Sequence, residues 1–291
     1  MRHWLLVCAV LAWTTLACGD RGAFTSPSDP AAPTLRAEAT QPKSFDGDGH
    51  PYVGALLAEV VSLPPDIVAD GTPLYFHCSG SLIAETVFLT AAHCFGLMET
   101  DHLWVTFDPQ LFDPADPDYV PDLIEATAYH VDPAFGLHPA DLHDLAVVIL
   151  PEGSTTGITP VPLPPAGLLD DLARERLLHD AQLGNVGYGF VPWWKGGPLR
   201  FSWDGRRNFS TSPFLALRPH WLGLNMNVDA TGEGGICYGD SGSPHLLETT
   251  GGTIAVATTS RGDPTCRALN WNYRLDTPSA RGFLGTFVTL P

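Results

Sequence analysis

The sequence predicts an all-β protein, a barrel or a sandwich, and three observations carry that expectation. Short apolar runs recur between residues 53 and 275, each closed off by Gly, Pro or Asp, which is the pattern of strands joined by turns. Hydrophobic residues make up 44% of the chain against 16% charged, enough apolar material for a sizeable core and too much for widespread disorder. Helical spacing of leucines is offered by one stretch, residues 168–179, where Leu168, Leu169, Leu172 and Leu177 could share a face. No repeat of fixed period is present.

In chain order, residues 1–17 read as an export signal. A basic start is followed by an apolar stretch from Trp4 to Ala17, interrupted by Thr14 and Thr15 and too short for an ordinary membrane span. It ends Thr15-Leu16-Ala17-Cys18, which resembles a bacterial lipoprotein signal with the lipid on Cys18, although Thr15 stands where leucine is usual. The alternative is an ordinary cleaved signal that leaves Cys18 as a stray thiol. Residues 18–44 are rich in Pro, Ala, Thr and Ser and read as an extended tether. The folded part is expected from about residue 45, where Asp46-Gly47-Asp48-Gly49 marks turns. No glutamate follows at the spacing of a calcium loop.

The strand candidates are residues 53–61, 74–83, 86–90, 103–107, 123–131 and 145–150. After a Pro-rich crossing at 159–166 and the helix at 168–179 come 181–190, 199–203, 221–228, 253–259 and 270–275. Each is short, apolar or alternating, and bounded by turn residues.

A net charge of -17 disfavours nucleic acid and anionic membrane surfaces as partners, since both select basic patches. The one adjacent basic pair, Arg206-Arg207, is too small to reverse this. Of six cysteines, Cys8 leaves with the signal and Cys18 is the lipid candidate. Cys78, Cys94, Cys237 and Cys266 remain, and residue spacing alone leaves three pairings open.

Three stretches carry chemistry: Leu89-Thr90-Ala91-Ala92-His93-Cys94, His143-Asp144-Leu145-Ala146-Val147-Val148-Ile149-Leu150 and Cys237-Tyr238-Gly239-Asp240-Ser241-Gly242-Ser243-Pro244. A serine is weakly nucleophilic until a base takes its proton, an imidazole titrates near neutrality, and a carboxylate can fix the ring tautomer. Asp141 competes for the last role but lies in a looser Pro-Ala-Asp-Leu-His context. His138, Asp141 and His143 could suggest a metal site, without recognised ligand spacing to support it.

Together these stretches resemble the chymotrypsin/trypsin-like serine proteases over roughly residues 45–291, as do Val186-Gly187-Tyr188-Gly189 and Tyr273-Arg274-Leu275. The run from Asp229 to Cys237 resembles a secreted or surface bacterial branch. The resemblance implies two six-stranded antiparallel β-barrels, at about 45–160 and 166–291, with the active site in the cleft between them. It implies His93, Asp144 and Ser241 as a catalytic triad, the amides of Gly239 and Ser241 as an oxyanion hole, and disulfides Cys78–Cys94 and Cys237–Cys266. The implied activity is that of an exported serine endopeptidase, a monomer acting on protein or peptide without a cofactor. Competing readings are an inactive protease-like surface binding protein and an esterase-like acyl hydrolase.

The departures from the family are informative. Ser243 replaces the usual glycine. Gly235, at the expected pocket base, offers no acid to an Arg or Lys side chain, and Arg261 and Thr259 are candidate wall residues. The acids from Asp108 to Asp122 lie where some relatives bind calcium, but their spacing also suits a plain loop. Asn208-Phe209-Ser210 fits a glycosylation sequon. Finally, no Ile-Val-Gly-Gly-type activation terminus is visible upstream of His50, so Asp240 needs some other cation.

Overall fold

In the computed structural model the described residues are 39–40, 42–59, 65–69, 71–98, 102–194 and 198–291. The chain divides into Met1–Arg36 and Ala37–Pro291, and every described residue belongs to the second unit. The export signal, the Cys18 anchor and most of the tether lie outside the described residues.

Pairing begins earlier than the sequence suggests. Strand β1 (Ala39–Thr40) falls within the stretch read as tether, and β2 (Ser44–Phe45) begins at its last residue. Next come β3 (Val53–Glu59), β4 (Ile67–Ala69), β5 (Thr72–Ala84), β6 (Val87–Thr90), β7 (Leu103–Thr106), β8 (Ile124–Glu125), β9 (Ala128–Val131) and β10 (Ala146–Ile149). They form an eight-stranded antiparallel sheet in the order β8-β7-β3-β5-β6-β10-β9, with β4 added on β5. This sheet is open, half of a barrel.

Helix α1 (Leu168–Arg174) leads into β11 (Gln182–Gly187), β12 (Val191–Trp194), β13 (Arg200–Ser202), β14 (Asn208–Arg218) and β15 (Trp221–Asn225). Then follow α2 (Val228–Thr231), β16 (Pro244–Thr249), β17 (Gly252–Gly262), β18 (Leu269–Arg274) and α3 (Pro278–Leu284). Strands β11-β16-β17-β18-β15-β14 close into a six-stranded barrel through β11–β14 pairing, with β2 on the outer edge of β14. β1, β12 and β13 make a small separate sheet.

Both faces of the central strands are buried, which explains their unbroken apolar sequence. Along β3, Val53, Ala55 and Leu57 enter one core, while Leu56 and Ala58 enter another, as the two-residue period of a strand requires. Along β10, Val147 joins the first core and Val148 the second. The first core also takes Val186, Leu246 and Tyr273 from the barrel, so the two sheets share one apolar interior. Each such leucine or valine contributes about 1.5–3 kcal/mol by leaving water.

The predicted helix is shorter than expected. It ends at Arg174, and Leu177 is exposed, whereas Leu169 is buried in the barrel core with Leu168 and Leu172 beside it. The candidate strand 221–228 stops at Asn225, because the Asn227 side chain accepts from the Ala230 amide and caps α2. The single candidate 123–131 resolves into β8 and β9.

Candidate active site

The strand β6 ends in buried Thr90, and the chain turns at once into a 3₁₀ helix, Ala92–Leu97, which carries His93. Cys94 bonds Cys78 of β5, fastening this helix to the sheet. Asp144 stands two residues before the start of β10, so pairing of β10 with β6 sets its position relative to His93. The turn into β10 is tight: His143 has a positive φ of 55° and its carbonyl accepts from the Leu145 amide. A non-glycine residue adopts that conformation at a cost. The ring is held between two carboxylates, Nδ1 3.0 Å from Asp132 and Nε2 3.3 Å from Asp141.

Asp144 is buried, 1% exposed. Its Oδ1 accepts from the His93 amide at 2.9 Å, and its Oδ2 lies 2.8 Å from His93 Nδ1. Ser260 Oγ donates to the same Oδ2 at 2.5 Å. A carboxylate only accepts, so Nδ1 carries the ring proton and Nε2 is left as acceptor. Ser241 Oγ sits 2.8 Å from that Nε2 and is thereby the donor. The three predicted residues form one continuous hydrogen-bonded chain, spanning the half-barrel and the barrel.

The serine is held in a turn with two left-handed positions, Gly239 at φ 88° and Gly242 at φ 83°. At Gly242 a Cβ would overlap Thr90 Oγ1 and the Ser79 carbonyl and stand 2.8 Å from the Ala91 amide nitrogen. Only glycine can bring the turn this close to β5 and β6. The Ser79 amide donates to the Ser241 carbonyl, and the Gly242 amide to the Thr259 carbonyl. Among the described residues, the amides of Gly239 and Ser241 donate to no protein acceptor. The Cys237–Cys266 disulfide fastens the approach to the turn.

Ser243 carries no backbone strain, because the positive φ falls on Gly242. Its buried hydroxyl lies 2.9 Å from Thr259 Oγ1, itself 2.9 Å from His245 Nε2. Burial lowers the His245 pKa to about 3, so this ring is neutral and belongs to the support of the turn. Thr259 is thus buried and braces the turn from within through its hydroxyl. Arg261 is exposed, and its guanidinium stacks 4.2 Å from the centre of the Trp221 ring.

Asp240 is the residue that sequence reasoning left without a partner, and it has one. Lys43 Nζ, on a side chain 5% exposed, lies 2.7 Å from Asp240 Oδ2, whose side chain is 2% exposed. The same carboxylate accepts from the Gly189 and Cys237 amides, at 2.9 Å and 2.8 Å.

The other candidates are accounted for locally. Asp141 accepts from Tyr273 OH at 2.5 Å and pairs with His143 and His220, while His138 is exposed. Within the acidic loop, Asp108 accepts from Tyr119 OH and the Asp122 amide. Asp113 and Asp116 cap the amides of Ala115 and Asp118. Asn208 is buried, and its amide donates to Asp204 and Arg206. Cys78, His93 and Cys94 cluster closely, but both sulfurs belong to the disulfide.

Arg207, half of the basic pair, is likewise buried. It donates to Asp46, to the Val53 and Phe107 carbonyls and to the Gly47 carbonyl. Burial raises the Asp46 pKa, but His50 and Arg207 outweigh it and leave the carboxyl below its ordinary value.

Among the described residues no helix is long and apolar enough to cross a membrane. No protein-family model matches the chain, and no curated protein matches it in sequence.

Proposed function

We propose that this chain is a serine endopeptidase of the chymotrypsin-like type, acting through an acyl-enzyme on Ser241. The observation that carries the reading is the unbroken chain Ser241 Oγ–His93 Nε2, His93 Nδ1–Asp144 Oδ2, with both links 2.8 Å. Groups of this kind, one buried and two partly exposed, have no need to meet in such an order for stability alone.

The chemistry follows from the proton positions. Ser241 Oγ attacks the substrate carbonyl carbon while its proton passes to His93 Nε2. Asp144 stabilises the imidazolium and holds the ring through two contacts, and Ser260 keeps the carboxylate oriented. The developing oxyanion takes the free amides of Gly239 and Ser241, donors worth about 2.7–4 kcal/mol each when preorganised. Collapse of the intermediate expels the amine, which receives the proton from His93. A water activated by His93 then releases the acid and restores the serine.

Specificity for arginine or lysine is not expected. Gly235 packs against Met226: a Cβ at this glycine would overlap the Met226 Cβ and stand 2.9 Å from its sulfur. Ile236 and Met226 both reach toward Gly262. The nearby Asp263 is engaged with the amides of Thr265, Arg267 and Ala268. An apolar P1 side chain of small or moderate size suits this lining. The two disulfides suit an oxidising, exported location. The half-barrel joined to a closed barrel suits a double-barrel protease, with the triad shared between its halves.

The test is intact-mass analysis after a fluorophosphonate probe, with Ser241→Ala in parallel. One adduct on wild type and none on the variant is the expected result; an unlabelled wild type under all conditions would refute the reading. Peptide and ester turnover, compared on the same preparation, separates a peptidase from an esterase-like hydrolase.

A further inference from the structure

We infer that Lys43 is the positioning residue that holds the nucleophile turn in working shape from within the uncut chain, so that activity needs no new chain terminus. This rests on the serine-hydrolase reading above. Asp240 immediately precedes Ser241, and its carboxylate points into protein, away from water. A buried carboxylate demands a cation or neutralisation. Among the described residues Lys43 is the cation that pairs with it.

The carboxylate joins three stretches of chain, around Lys43, around Gly189 and its own turn. Oδ1 takes the Gly189 amide, and Oδ2 takes the Cys237 amide and the Lys43 ammonium. Lys43 Nζ reaches the Phe190 carbonyl as well, at 3.4 Å. With Asp240 drawn inward, the backbone on either side of it presents the Gly239 and Ser241 amides unpaired. Without the ammonium, the carboxylate would gain by rotating toward water, and those two amides would turn with it.

The lysine is itself held. Ser44 and Phe45 pair with Phe209 and Asn208 of β14, and the Asp46 amide donates to the Arg207 carbonyl. Arg207 then clamps the next turn through Asp46 and Gly47. On the amino-terminal side Gln41 lies outside the described residues, and before it Ala39 and Thr40 pair with Trp194 and Trp193 of β12. A fixed backbone on one side of Lys43 places its ammonium without help from a freed amino terminus.

The experiment uses the full chain, uncut, with the fluorophosphonate labelling rate and peptide kcat and KM as readouts. The expected result is that the labelled wild-type species retains Lys43 and everything before it that was present at the start. Lys43→Ala should label at least about 100-fold more slowly, the cost of losing an oxyanion donor, with KM nearly unchanged. Ethylammonium should restore part of the rate, and Lys43→Arg should keep most of it. Should Lys43→Ala not fold, Lys43→Met, which keeps most of the side-chain volume without the charge, replaces it, and slow labelling is again expected. Wild-type-rate labelling by Lys43→Ala or by Lys43→Met would overturn the inference. So would wild type that labels only after cleavage beyond Lys43, which would leave the nucleophile itself intact. Absence of labelling in cut and uncut wild type alike would remove the serine-hydrolase reading, and this inference with it.

Discussion

Acidification should destabilise the protein through one imidazole, that of His245. The ring is fully buried, with Nε2 2.9 Å from Thr259 Oγ1 and that oxygen 2.9 Å from Ser243 Oγ. Burial moves its pKa from 6.5 down to about 3. In the unfolded chain the imidazole takes up a proton as pH falls through 6.5; in the folded chain it refuses one until about 3. The unfolded state therefore binds more protons across that window, and stability falls with pH there. Its contribution is complete above 6.5 and is lost progressively below. Each pH unit corresponds to about 1.4 kcal/mol, so about pH 4.5 costs roughly 2–3 kcal/mol. For a domain of this size that is roughly 5–10 °C in Tm. The control is His245→Gln, which can still meet the Thr259 hydroxyl but does not titrate. Thermal or urea unfolding of both proteins at about pH 7 and about pH 4.5 gives two differences, and the carboxylates common to both cancel between them. The wild type should lose more than the variant by the amount above. Parallel loss in the two proteins would refute the reasoning, as would an NMR titration of His245 in the folded state near 6.5.

Asp144→Asn should lower peptide turnover by about 10⁴-fold with little change in Tm; a loss below about tenfold would show that His93 is oriented by other means. Gly242→Ala should destabilise by about 1–3 kcal/mol, since its Cβ meets Thr90 and Ser79, and labelling of Ser241 should slow; normal labelling and an unchanged denaturation midpoint would contradict the close approach. Arg207→Met should cost about 3–5 kcal/mol because it strands Asp46 and several carbonyls, and a urea midpoint near wild type would count against the clamp.

The meeting of His93, Asp144 and Ser241 was expected from the resemblance of three short stretches, and the neighbours of the last two have physical duties. Asp144 precedes a buried strand, and Ser241 stands near glycines that the turn requires. The half-barrel strands were legible for the same reason, since their buried faces are apolar on both sides. Strand β14 was not. Its buried positions are Asn208, Ser210 and Ser212, so the run lacks an apolar period. The two serines are satisfied by partners far away in sequence: Asn185 donates to both, and Ser212 donates to the Gly234 carbonyl. The partner of Asp240 was illegible too. Lys43 is a lone cation at the end of a Pro- and Thr-rich stretch, and only the pairing of β2 with β14 carries it to the turn. The resemblance implied two closed barrels, whereas the pairing leaves the first sheet open.

The docking of Ser44 and Phe45 on β14 has a consequence for the order in which the molecule assembles. Lys43 and Asp240 are separated by 197 positions and Asp46 and Arg207 by 161. As synthesis proceeds from the amino end, the Cys78–Cys94 bridge, spanning 16 positions, can form while the barrel is still unmade. The nucleophile turn cannot be finished until nearly the last strand has emerged and folded back onto the first. Such distant contacts make for slow folding. They also mean that a chain lacking either end of these pairs leaves Asp240 and Asp46 without their cations.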